Sequence, residues 1–132
     1  MTPIATTVLV LCPSMQQMHD LFKSLRTKPH LHKSWNFLTR CCIESKCCNH
    51  YIMFFSETAR YKDLLDGRRV DHIVVRHGLE HHIMLYLETL LKPGGTITNV
   101  YNFETTMISY MHYVLPPENL NNYNTIILND IT

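Results

Sequence analysis

Residues 70–101 read VDHIVVRHGLEHHIMLYLETLLKPGGTITNVY, and the fold turns on how this stretch divides. Val70 to Arg76 carries Ile73, Val74 and Val75, a short apolar run suited to a strand covered on both faces. From about Leu79 to Leu91, the residues Leu79, Ile83, Leu87, Leu90 and Leu91 recur on one broad helical face. Lys92 falls at that helix's end, and Pro93 stands where a helix does not continue. Gly94 and Gly95 supply the dihedrals of a tight reversal, after which the β-branched run Thr96 to Val100 resumes an extended chain. Strand, helix and strand of this length predict a βαβ unit.

Working outward, Thr6 to Cys12 (TTVLVLC) predicts a first buried strand, and Pro13-Ser14 a turn with Ser14 capping a helix. Met15, Met18, Leu21, Phe22 and Leu25 repeat at helical spacing from Met15 to Arg26; the methionines read as core filler. Pro29 ends that segment. Ser34 to Thr39 suits a short strand, although Trp35, Leu38 and Cys42 would also suit a helix. Tyr51 to Ser56 (YIMFFS) is a further strand, and Ala59 to Leu65 a short helix before the Asp66-Gly67 turn. Beyond Tyr101, Glu104 to Tyr113 predicts a helix with Met107, Ile108, Met111 and Val114 on its apolar side. Pro116-Pro117 closes it, and Thr125 to Leu128 reads as a last strand.

The chain has 132 residues and a formal charge of +1. That length suits one domain over residues 1–132, and the charge gives no global pull toward nucleic acid. The charges are unevenly spread: Lys23, Arg26, Lys28, Lys33, Arg40 and Lys46 face only Asp20 and Glu44 within residues 1–50, and no Lys or Arg follows Lys92. The basic amino-terminal half leaves nucleic-acid contact open, without an evident stacking motif around Trp35 or the tyrosines. No apolar run approaches the roughly 20 residues that span a bilayer, and Thr2 to Cys12 lacks a basic leader. The expectation is an intracellular chain, cytoplasmic or nuclear, with no membrane association.

The five cysteines are Cys12, Cys41, Cys42, Cys47 and Cys48, an odd number with two adjacent pairs. This is a poor disulfide framework, so reduced thiols are expected. CCIESKCCNH, with His50 at its end, invites a zinc reading. Adjacent cysteines point apart, and the two-residue gap of a chelating pair is missing. A connecting loop with partly buried thiols is favoured over zinc. His77 and His81 stand four apart beside Glu80, but Gly78 interrupts any helix joining them; solvated turn histidines are favoured over a metal pair.

Asp71 to Val75, Leu79 to His81 and Leu90 to Gly95 together resemble the second half of a class I S-adenosylmethionine-dependent methyltransferase. Leu-Leu-Lys-Pro-Gly-Gly after an amphipathic helix is the most specific part. The resemblance implies an α/β three-layer sandwich with a mostly parallel sheet of about six strands, a reduced methyltransferase-like Rossmann fold. It also implies a cofactor lying across Cys12, Pro13, Ser14 and Glu57, with His77 near the transferred methyl. Glu57 falls just past its strand, at the edge where such sheets bind ligands; an acid opening a helix is the plainer reading. Asp71 matches the family's acid at its strand's start, with a structural role as open as a catalytic one.

The chain departs from the family at its first turn. Leu-Cys-Pro-Ser-Met replaces the glycine-rich loop, and no glycine precedes Gly67. Proline removes a donor, and side chains fill the space where backbone would approach the cofactor. No catalytic residue can be assigned, because no nucleophile–base pair is legible. The reading is a non-catalytic interaction or assembly subunit on a degenerate methyltransferase-like fold, with a protein partner or a second copy of itself. A minimal S-adenosylmethionine-dependent methyltransferase, active with a partner subunit, is the alternative. The richness in Asn, Tyr, Ile, His and Cys fits an AT-rich genome such as a viral one.

Overall fold

The computed structural model describes residues 6–38, 41–47, 49–58 and 69–113. Its centre is β1 (Thr6–Cys12), hydrogen-bonded in parallel to β4 (His50–Ser56) on one side and β5 (Val70–Arg76) on the other. With neighbours on both sides and a layer over each face, β1 must be apolar beyond its half-buried start at Thr6-Thr7, and Val8 to Cys12 are all buried. Among the described residues the sheet has six strands, in the order β2-β3-β4-β1-β5-β6. β6 (Leu91–Val100) runs parallel to β5, while β2 (Trp35–Leu38) and β3 (Cys42–Ser45) form an antiparallel hairpin, β3 pairing antiparallel with β4.

The pleat divides the apolar residues between two cores. Val8, Val10, Ile52, Phe54 and Val74 pack with Met18, Leu21, Phe22 and Leu25 of helix α1 (Met15–Arg26) and with Met107, Tyr110 and Met111 of helix α3 (Phe103–Tyr113). Leu9, Leu11, Met53, Ile73 and Val75 pack on the opposite face with Leu87 of helix α2 (His81–Glu88). The architecture is α/β, a mostly parallel mixed sheet with three described helices, consistent with a Rossmann-like sandwich.

Local chemistry sets the element ends. The Ser14 side chain accepts the Gln17 N–H at 3.2 Å, and Lys23 and Arg26 occupy the last turn of α1, where cations suit the helix dipole. Pro29 then opens a one-turn 3-10 helix, Pro29–Lys33, that buries Leu31. Of the strand expected over Ser34–Thr39, Trp35–Leu38 is strand, and Thr39 lies outside the described residues.

Two expectations are corrected. The Cys41–His50 stretch is not simply a connecting loop, because Cys42–Ser45 is β3 and Cys41, at φ 60, makes the turn into it. β-branched Ile43, buried at 0 % exposure, drives that strand. The helix expected over Leu79–Leu91 is shorter, and Pro93-Gly94-Gly95 lies within β6 rather than ahead of it. The ladder pairs Val70 with Leu91 and then His72 with Thr96, so the Lys-Pro-Gly-Gly run is a bulge in an edge strand. Gly94 takes φ +83, and a Cβ on Gly95 would sit 2.7 Å from the Asp71 carbonyl oxygen. The expected helix at 59–65 and strand at 125–128 lie outside the described residues.

The amino-terminal edge of the sheet is tied by buried polar groups. Trp35 Nε1–H donates to the Met111 carbonyl at 2.9 Å, and His50 Nδ1 lies 3.0 Å from the Tyr110 hydroxyl, so both fasten α3 to the sheet. Asp71 accepts the Thr7 N–H at 2.8 Å and the Lys92 ammonium at 3.2 Å, which gives this acid a structural task. His72 Nδ1 lies 2.8 Å from Thr96 Oγ1. Burial holds both His50 and His72 below the ordinary histidine range; for His50, neighbouring His72 adds to the effect and Asp71 opposes both shifts.

Two predictions follow from this packing. Gly95→Ala, which meets a backbone oxygen, lowers unfolding stability by about 2 kcal/mol. Gly94→Ala, strained in φ but open in space, costs about 1 kcal/mol, and chemical denaturation separates the two. Because His50 and His72 stay neutral in the folded chain but charge near pH 6.5 when unfolded, their contribution is complete above that pH. It declines as pH falls through 6.5 toward their lower folded values. Denaturation midpoints from pH 8 to pH 5 should fall accordingly, and more shallowly in His50→Gln/His72→Gln.

Candidate functional site

The strand order reverses at β1: the chain moves from β1 to β4 on one side, then to β5 and β6 on the other. In open α/β sheets ligands bind beyond the carboxyl ends of strands at such a point. Here that edge brings together Cys12, Pro13 and Ser14 from β1, Glu57 from β4, and Arg76 and His77 from β5.

Each expected cofactor residue has a measurable engagement. Cys12 is buried, its carbonyl accepts the Glu57 N–H at 2.8 Å, and its thiol is pushed up to about 12 by burial, then by Cys41 and Glu57. Such a thiol stays protonated at neutral pH and is a poor nucleophile. Pro13 is half-buried, and the Ser14 hydroxyl is used in capping α1. The helix that Glu57 is expected to open lies outside the described residues. Arg76 Nε donates to its two carboxylate oxygens at 3.2 and 2.9 Å, and Arg76 Nη1 donates to the Gly78 carbonyl at 3.1 Å. The carboxylate is only 12 % exposed. An ion pair therefore crosses the end of β1, joining its two neighbours.

His77 is exposed, its ring lying 4.3 Å from that of Tyr101 with 30° between the planes. It is not joined to His81 and His82, which are also exposed on the following helix. His82 instead lies 3.5 Å from Glu80. Among the described residues no three His, Cys, Asp or Glu side chains converge as metal ligands. Cys41 is buried, Cys47 is exposed, and His50 is committed to Tyr110.

Beside the ion pair a groove of about 520 Å³ runs between α1 and α3, reaching Cys12, Pro13 and Arg76 at one end. Leu21 and Phe103 give it apolar wall, while Asp20 and Glu104 give it acid. Glu104 is held below the usual carboxylate range by the Ser24 hydroxyl, helped by Lys28 at 3.4 Å.

The sequence reading missed Arg76, the partner that defines this edge. The signal was available: Glu57 and Arg76, opposite in charge, close the two strands that flank the most apolar one. The chain matches no family model, no curated protein and no solved structure.

Removing the guanidinium leaves a mostly buried carboxylate without its cation. Arg76→Ala should therefore cost about 1–3 kcal/mol in urea unfolding. In the double variant Arg76→Ala/Glu57→Gln part of that loss returns, because the uncompensated charge is gone.

Proposed function

We propose that this chain is a non-catalytic interaction or assembly subunit, built on a methyltransferase-like α/β scaffold whose cofactor crevice is closed. One observation carries the reading: Glu57, the acid best placed to meet a ligand, is bonded through both oxygens to Arg76 across the end of β1. A nucleoside cofactor would have to break that pair and displace the Pro13 turn, in a place where the family approaches with bare glycine backbone. Cys12, the nearest nucleophile, is held as a thiol by its burial. The partner in this reading is a protein or a second copy of the chain.

The groove beside Cys12 and Pro13 favours a second reading, a minimal S-adenosylmethionine-dependent methyltransferase. Its catalysis would rest on positioning donor and acceptor. Calorimetric titration with S-adenosylmethionine and with its demethylated product separates the two. The assembly reading expects no heat and no thermal stabilisation, in the isolated chain or in its native complex. Saturable binding that Arg76→Ala strengthens would instead support the enzyme. Native mass spectrometry of the complex should show a protein partner or a second copy retained, and a chain that stays monomeric would count against assembly.

A further inference from the structure

A second hollow, of about 450 Å³, lies at the opposite edge of the sheet, beside β2. Its lining is Arg26, His32, Asn36, Phe37, Leu38 and Lys46. Two of these are cations, none is an acid, and one ring pair is built in. The His32 imidazole lies 5.0 Å from the Phe37 ring at 35°. Its Nε2–H donates to the Arg26 carbonyl at 2.5 Å, so the exposed imidazole is fixed rather than swinging free. Phe37 is in turn braced edge-on by Phe22 at 5.8 Å. The Lys46 N–H donates to the Ser34 carbonyl at 2.8 Å, which anchors that lysine at the start of β2. Lys23 and Lys33 are exposed on the adjoining α1 and 3-10 turn. The nearest acid by register is Glu44, opposite Asn36 on β3.

We infer that this edge binds single-stranded nucleic acid. The supported ring pair offers a base a flat surface, and Arg26 and Lys46 stand where backbone phosphates would pass. Fixed aromatic surface combined with cations along a hollow is what sequence-independent single-strand binding requires. A uniformly basic surface without the rings would attract any polyanion equally. The site is separate from the closed crevice, so its test does not depend on the assembly reading.

Fluorescence anisotropy of the full chain with labelled oligo-dT and oligo-rU, at 50 to 200 mM salt, tests it. With two to four phosphate contacts the slope of log K against log salt should lie between about −1.4 and −2.8. Arg26→Ala/Lys46→Ala should weaken binding about tenfold and reduce that slope by about 1.4. His32→Ala should weaken it about fivefold or more with the slope unchanged, because stacking releases no counterions. Circular dichroism confirms that the variants fold; a variant that does not is replaced by Lys46→Gln or His32→Gln. Absence of binding at 50 mM salt, indifference to both variants, or equal affinity for heparin and duplex DNA would overturn the assignment.

Discussion

The burial of β1 on both faces is the constraint from which the rest of the architecture follows. A strand with parallel neighbours at either side and helices above and below has no contact with water except at its ends. Its interior residues must be apolar, and Val8 to Cys12 of β1 are. The same arrangement makes the ends chemically distinctive, because only there do backbone groups and charges of adjacent strands meet beside solvent. Both ends of this sheet carry polar ties, and each includes an ion pair.

At the amino-terminal edge the ties are neutral or locally compensated. Trp35 and His50 hold α3 through single hydrogen bonds, and Asp71 links the first strand to the fifth and, through Lys92, to the sixth. Such bonds add modestly to stability when made and cost more when broken, since the buried partner is left unsatisfied. At the carboxyl edge the tie is an ion pair, Glu57 with Arg76, spanning the end of β1. The pair fixes β4 and β5 relative to each other at the place where a cofactor-binding sheet would leave space.

Much of this was legible in the residues. Thr6–Cys12, Met15–Arg26 and Val70–Arg76 have the observed boundaries because their apolar periods are unambiguous and their ends carry Ser14, Pro29 and Arg76. The hairpin was less legible, since CCIESKCC has too few apolar residues to announce a strand. It is defined by pairing with β2 and β4, which are distant signals. Lys-Pro-Gly-Gly misled for a related reason: the motif breaks a helix by local rules, but whether the chain then turns or bulges depends on the Asp71 carbonyl beside it. For the site, Cys12, Pro13, Ser14 and Glu57 do meet at one edge, as strand ends must. That Glu57 is spent on Arg76 is legible only when the opposite charges ending two separate strands are read together, because a crossover lies between them.

The uneven charge of the sequence takes on spatial meaning once the sheet order is known. Lys23 and Arg26 end α1, Lys33 closes the 3-10 helix and Lys46 follows β3, so these cations stand on one flank of the sheet, whereas Lys28 pairs with Glu104. The acids Asp20 and Glu104 gather instead around the groove at the carboxyl end of β1. Cations at the end of α1 would suit its dipole wherever the helix lay. That argument does not reach Lys46, which follows β3, nor the His32–Phe37 ring pair that lines the same hollow. Helix electrostatics explains part of the basic flank, and the part it leaves is the part arranged around a hollow.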